Sequence, residues 1–206
     1  MAAFFPLRSI ASSLLVLALL TGCTTTSESL GPESEAAWRV RQPALESFQN
    51  WEFIGRVAVQ REEEGWFASL HWKQRGTAYR LQVSGPAGQG AARLNGDDVG
   101  VSLIRGDGTV YLASRPEELL ATHLGWQVPV TGLRYWIRGV PTPTEWESRA
   151  LDAAGHLVRL RQDGWDIHFD RYSAVDTLEL PGRLVLERPP LTVRIIMERW
   201  SLNASD

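Results

Sequence analysis

From residue 51 to residue 200 the chain is dominated by a period of two. Trp51, Phe53, Val57 and Val59 alternate with Glu52, Arg56 and Gln60. After the Arg61-Glu62-Glu63-Glu64-Gly65 turn, Trp66, Ala68, Leu70 and Trp72 alternate with Ser69, His71 and Lys73. Tyr79, Leu81 and Val83 continue the pattern, as do Val99, Val101 and Leu103, with turns at Asn95-Gly96-Asp97 and Gly106-Asp107-Gly108. It returns at Leu157 and Leu160, runs through Trp165, Ile167 and Phe169, and then through Leu184 and Leu186. A turn at Pro189-Pro190 leads into Leu191, Val193, Ile195 and Met197, closing on Trp200. Successive side chains of a strand point to opposite faces, so this alternation predicts half-buried antiparallel strands joined by short turns.

Three stretches break the alternation. Residues 36–48 predict a helix with Trp38, Leu45 and Phe48 as apolar contacts and a kink at Pro43. Ser114-Arg115-Pro116-Glu117 reads as a capping box before Leu119, Leu120 and Leu124, with Gly125 as the stop. Thr131 is positioned to cap a third helix, with Leu133, Trp136 and Ile137 at i, i+3, i+4 and Gly139 at its end. Strands, then helices, then strands predict a mainly β, α+β fold. It is a curved antiparallel sheet covered on one side by helices, with three or four tryptophans on the inner face.

The N-terminus follows different rules. Arg8 is the one charged side chain before an apolar run at residues 10–20, about 11 residues long, whereas a spanning helix needs about 20. Residues 1–22 therefore read as a cleaved signal. The segment Leu20-Thr21-Gly22-Cys23 resembles the bacterial lipobox, in which the cysteine is acylated and becomes the first residue of the mature chain. Cys23 is the single cysteine, so no intrachain disulfide is possible. One acyl chain binds a membrane marginally and several bind it firmly. By the same resemblance, Thr24 in place of aspartate after the cysteine favours the outer membrane. Residues 23–35 are then the acylated terminus and a flexible tether, and residues 36–206 a single domain. Removing the signal leaves 184 of 206 residues.

Charge and chemistry narrow the function. A net charge of −3 offers no basic field for nucleic acid. The sequence holds no nucleophile elbow and no phosphate-loop lysine after the glycines of residues 85–90, and His71, His123, His156 and His168 fall in separate elements without ligand spacing. No cofactor or metal is expected. Asp166, His168 and Asp170 share one face of a strand, either as a general base with orienting carboxylates or as the solvent face opposite Trp165, Ile167 and Phe169. Gly85-Pro86-Ala87-Gly88-Gln89-Gly90 is longer than a tight turn requires, and reads as a protruding contact loop or an ordinary flexible one.

Nine tryptophans, all after Cys23, are either a large core or the wall of a space left open. Wide, rigid rings line an apolar cavity without collapsing it. Such a cavity would hold acyl chains with no catalyst, because each buried methylene contributes about 0.8 kcal/mol.

Taken in order, several motifs resemble the LolB family of outer-membrane lipoproteins. They are the lipobox cysteine, the segment from Trp51 to Gly55 before Arg56, Trp72, Ser84-Gly85-Pro86-Ala87-Gly88, Leu133-Arg134-Tyr135-Trp136-Ile137-Arg138-Gly139-Val140-Pro141, Gln162-Asp163-Gly164-Trp165, and Arg199-Trp200. The resemblance implies an incomplete antiparallel β-barrel with a helical lid and an apolar cavity. It implies a receptor that takes acylated lipoproteins from a soluble periplasmic carrier of the LolA kind and releases them into the outer membrane, as a monomer anchored there and facing the periplasm. On this reading Trp72, Trp136 and Trp165 are the foremost candidates for cavity wall or lid. Trp51, Leu81, Trp126, Phe169 and Trp200 join them, with Leu133, Ile137 and Val140 in support. Pro86, Ala87 and Gly88 form the candidate membrane or partner loop, although the family carries a bulky apolar residue where this chain has Ala87. Two other functions compete: an assembly lipoprotein binding an envelope protein through a sheet edge or the 85–90 loop, and an envelope hydrolase built on Asp166, His168 and Asp170.

Overall fold

A computed structural model describes residues 31–202. The signal segment, Cys23 and most of the expected tether lie outside the described residues.

The alternating stretches form strands. β1 (Asn50–Arg61) and β2 (Glu64–Arg75) make a long hairpin, followed by β3 (Ala78–Ser84), β4 (Ala92–Gly96), β5 (Val101–Arg105) and β6 (Val110–Ala113). After the helices come β7 (Ser148–Leu151), β8 (Leu157–Gln162), β9 (Trp165–Asp170), the short pair β10 (Ser173–Val175) and β11 (Leu178–Leu180), then β12 (Arg183–Arg188) and β13 (Leu191–Leu202). Eleven strands form one antiparallel sheet in the order β6-β5-β4-β3-β2-β1-β13-β12-β9-β8-β7, while β10 and β11 pair separately. The end strands β6 and β7 are not joined, so the barrel stays open. The first and last long strands pair along their whole length. Their register slips at Gly55, where any β-carbon would stand 1.9 Å from the carbonyl oxygen of Ile196. Only glycine permits that bulge.

Three helices, α1 (Pro32–Ser47), α2 (Pro116–Leu124) and α3 (Val130–Trp136), complete the fold. Their boundaries differ from expectation for identifiable reasons. α1 begins four residues early, since Pro32 occupies the first turn and Glu33 and Glu35 complement the positive end of the helix dipole, and it continues through Pro43. The capping box at Ser114 does not form: Arg115 is the N-cap residue, and no side chain caps it. Glu117 instead reaches across to accept the backbone N–H of Thr131 at 2.8 Å. Thr131 thus lies inside α3, whose N-cap residue is Pro129, and a neighbouring helix supplies the acceptor. Val99 sits 93% exposed in a turn, because Asp97 accepts the backbone N–H groups of Val99 and Gly100. The edge strands β6 and β7 and the pair β10–β11 carry too little alternation to be read from sequence.

α2 packs on β5, β6 and α3, closing the concave face of the sheet. The core lies between these layers, and Trp51, Trp72, Trp136 and Trp165 are each about 1% exposed.

Candidate functional site

Beneath the lid lies a cavity of about 40 Å³ with a wholly apolar wall. The sheet contributes Val57, Trp66, Leu70, Trp72, Leu81, Val83, Ala92, Leu94 and Ile195; α2 contributes Leu120 and Leu124; the linker contributes Trp126 and Val128; α3 contributes Val130 and Leu133. Strand alternation explains this composition. Even-numbered residues of β2 and odd-numbered residues of β3 meet in register on one face, as Trp72 opposite Leu81 and Leu70 opposite Val83. A wall without polar groups gives water no partner, and an apolar void of this size stays dry. At about 24 cal/mol per Å³, leaving it empty costs roughly 1 kcal/mol. Small-molecule sites occupy roughly 300–1,000 Å³, so this cavity holds a ligand of ordinary size only if the helices move away from the sheet.

Aromatic contacts hold the lid from two sides. Trp126, two residues past α2, stacks on Trp66 of β2 with ring centroids 4.1 Å apart and planes 17° from parallel. His123 of α2 stacks on Tyr111 of β6 at 3.7 Å. Aromatic pairs of this kind contribute about 0.5–1.5 kcal/mol beyond their burial. Gly125 ends α2 in the left-handed conformation at φ 70°, which turns the chain toward Trp126.

Of the sequence candidates, Trp72, Leu81, Trp126 and Leu133 line this cavity. The others lie on the same concave side but away from it. Trp51, Phe53, Trp72 and Trp200 form an aromatic cluster, with Trp51 5.5 Å from Trp72 and Phe53 5.2 Å from Trp200. Phe169 is buried in β9, and Trp165 lies under the Arg188 guanidinium at 4.4 Å. Trp136 donates its indole N–H to the buried Gln162 at 3.0 Å. Gln162 also accepts the backbone N–H of Thr142 and donates to the carbonyl of Thr144, fastening the end of α3 to β8. Ile137 and Val140 are fully buried. Between them Arg138 turns back to donate to the carbonyls of Leu45 and Phe48 at the end of α1, which has no basic residue in its own last turn. Burial lowers the Arg138 guanidinium to about 10.

Pro86, Ala87 and Gly88 form an exposed single turn between β3 and β4, with Ala87 at φ 55°. Beside it, on the outer sheet face, lies a groove with Phe67, 67% exposed, and Arg56 and Arg194. Asp166, His168 and Asp170 also face outward. Asp166 is held by Arg159 at 2.9 Å, Asp170 by Arg183 at 3.0 Å, and His168 lies 3.4 Å from Asp166. The hydrogen bond from Arg159 keeps the Asp166 carboxyl below its ordinary range. They form an ion-paired row on the outward face of β9.

Sequence reasoning did not choose Trp66, Leu120, Leu124 and Val128 as lining residues. The signal for Trp66 was present, since alternation places it on the face of Leu70 and Trp72. Nothing local marks Leu120, Leu124 and Val128, whose inward position depends on how α2 docks.

The open antiparallel sheet with helices folded over an apolar interior is a fold shared with solved structures. A LolA superfamily protein from Nitrosomonas europaea matches with TM-score 0.51 at 9% identity, covering 84% of this chain and 93% of that one. A putative outer membrane lipoprotein-sorting protein domain from Vibrio parahaemolyticus matches with TM-score 0.56 at 9% identity, covering 84% and 94%. The chain belongs to the LolB family: residues 49–200 match the family model described as "Outer membrane lipoprotein LolB". It is 37% identical to the outer-membrane lipoprotein LolB of Nitrosococcus oceani over 192 residues, covering 92% of this chain and 96% of that protein. It is 39% identical to that of Pseudomonas aeruginosa over 188 residues, covering 89% and 91%.

Proposed function

We propose that this protein is an outer-membrane receptor for acylated lipoproteins. Cys23 carries the acyl anchor of a 184-residue mature chain. The domain takes cargo acyl chains from a LolA-like periplasmic carrier beneath its lid and releases them into the membrane. The observation that carries this reading is the unbroken apolar seam between the concave sheet face and α2, its linker and α3. When the lid lifts, the side chains that faced it meet methylenes in place of water, at about 0.8 kcal/mol per methylene. The lid surrenders contacts of the same chemical kind, so opening with cargo present is far less costly than opening into water. No covalent step is needed. Direction follows from relative affinity, with the bilayer as the final sink.

A second reading, an assembly lipoprotein that binds an envelope protein through a sheet edge, is favoured by the small cavity and by Val110 and Leu112, exposed on the edge strand β6. One experiment separates the two. Mixed with a carrier loaded with a palmitoylated lipoprotein, purified residues 24–206 are expected to remove the cargo, seen as its co-purification with this chain. Cargo that stays on the carrier at every ratio defeats the receptor reading and leaves the assembly reading standing.

A further inference from the structure

The cavity under the lid and a groove on the outside share a thin wall. Trp66, Leu124 and Trp126 line the cavity of about 40 Å³. The same three residues line a groove of about 560 Å³ that opens beside the β1–β2 hairpin, together with Val59 and Leu191. The outer space lies within the range of small-molecule sites. Only the wall separates it from the apolar interior. That wall has two halves from distant parts of the chain: Trp66 from a sheet strand and Trp126 from the linker after α2, stacked face to face. Both rings are only partly buried, unlike Trp51, Trp72, Trp136 and Trp165. On its other flank α2 is tied down by the His123–Tyr111 stack and its packing on β5 and β6.

We propose that the Trp66–Trp126 pair is the entrance for the cargo's acyl chain, and that the outer groove is where the chain first lies. This rests on the receptor reading above. Val59, Leu124, Leu191 and the two ring faces give the methylenes an apolar bed, while Arg61 and Glu64, also in the groove, meet the polar end of the lipid. Parting the rings joins the two spaces. Each indole then exchanges contact with its partner for contact with the alkyl chain, so the entrance opens more readily with a chain present than without one. The lid swings on the His123 flank and opens on the Trp126 flank.

The test uses the whole protein, Cys23 acylated, anchored in phospholipid vesicles and given a palmitoylated lipoprotein on its soluble carrier; cargo sedimenting with the vesicles is measured. A Trp66→Cys/Trp126→Cys variant is bridged by a bismaleimide with a reducible linker. Bridging is expected to slow transfer by about tenfold or more, and cleaving the linker to restore it. The matching Tyr111→Cys/His123→Cys bridge on the other flank is expected to leave transfer within about threefold of the parent. Parental transfer through the bridged Trp66/Trp126 pair overturns the entrance while sparing the receptor reading, as does equal blockage by both bridges. Failure of the unmodified protein to take cargo overturns the receptor reading itself, and the entrance with it.

Discussion

Arg138 brings two remote pieces of chain together with one side chain. Its guanidinium serves the carbonyls that α1 leaves unpaired, and its Nε–H reaches the carbonyl of Arg134 at 2.9 Å within its own segment. Hydrogen bonds from a charged donor are worth about 1.5–3 kcal/mol each, and orphaned carbonyls carry a desolvation cost of their own. Arg138→Ala is therefore expected to lower unfolding stability by about 2–4 kcal/mol, measured by urea denaturation. Arg138→Lys should recover only part of this, because one ammonium cannot span several carbonyls. Gln162 acts similarly, joining Trp136 to the Thr142–Thr144 segment. Both residues stand inside motifs visible in the sequence, yet Arg138 reaches Leu45 and Phe48, and Gln162 reaches Trp136, Thr142 and Thr144, too far along the chain for any local pattern to show. The Leu133–Pro141 stretch is largely a fastening for the helices; of its apolar members only Leu133 meets the cavity.

Among the elements, α1 is held against the sheet by ions as well as by Trp38 and Leu45. Arg41 pairs with Glu179 at 2.8 Å, His156 lies 3.0 Å from the same carboxylate, and Arg149 holds Glu35. The hydrogen bond with His156, and after it Arg41, keeps the Glu179 carboxyl below its ordinary value of 4.5. An acid whose folded value is depressed stabilises the fold above its unfolded value, and that stabilisation disappears as pH falls through the folded one. The urea midpoint of the parent should therefore exceed that of Glu179→Gln near neutral pH. The gap should close as pH falls below about 4.5. A gap unchanged down to about pH 3 would assign α1 docking to its apolar contacts alone. The lid helix is a different kind of element. Its start takes no side-chain cap, and it is held by the buried Leu119 and Leu120 together with the His123–Tyr111 stack. Its sequence advertised a capping box; Glu117 was taken instead by a backbone N–H in the next helix.

At the scale of the molecule, β13 is the seam. It pairs with β1 on one side and β12 on the other, so the two halves of the sheet are joined only through the last strand of the chain. Ending the chain at Arg188 should abolish cooperative unfolding, because β1 and β12 would both become bare edges over an uncovered core. A sharp urea transition in that truncation would mean that the β1–β6 half folds alone.

The alternation that marks the long strands is a local property: side chains two apart share a face whatever the rest of the chain does. Strand identity, inward tryptophans and turns at glycine and proline are therefore legible in the order of residues alone. The likeness to an outer-membrane lipoprotein family is equally legible in residue types and order. Which inward tryptophans pack solidly and which stand at an opening is not. Trp51, Trp136 and Trp165 are core while Trp66 and Trp126 form a wall, and the difference lies in where α2 and its linker come to rest. That position is set in large part by contacts such as Trp66 with Trp126, far apart in the chain and worth about 1 kcal/mol. No window of sequence contains both partners of such a contact.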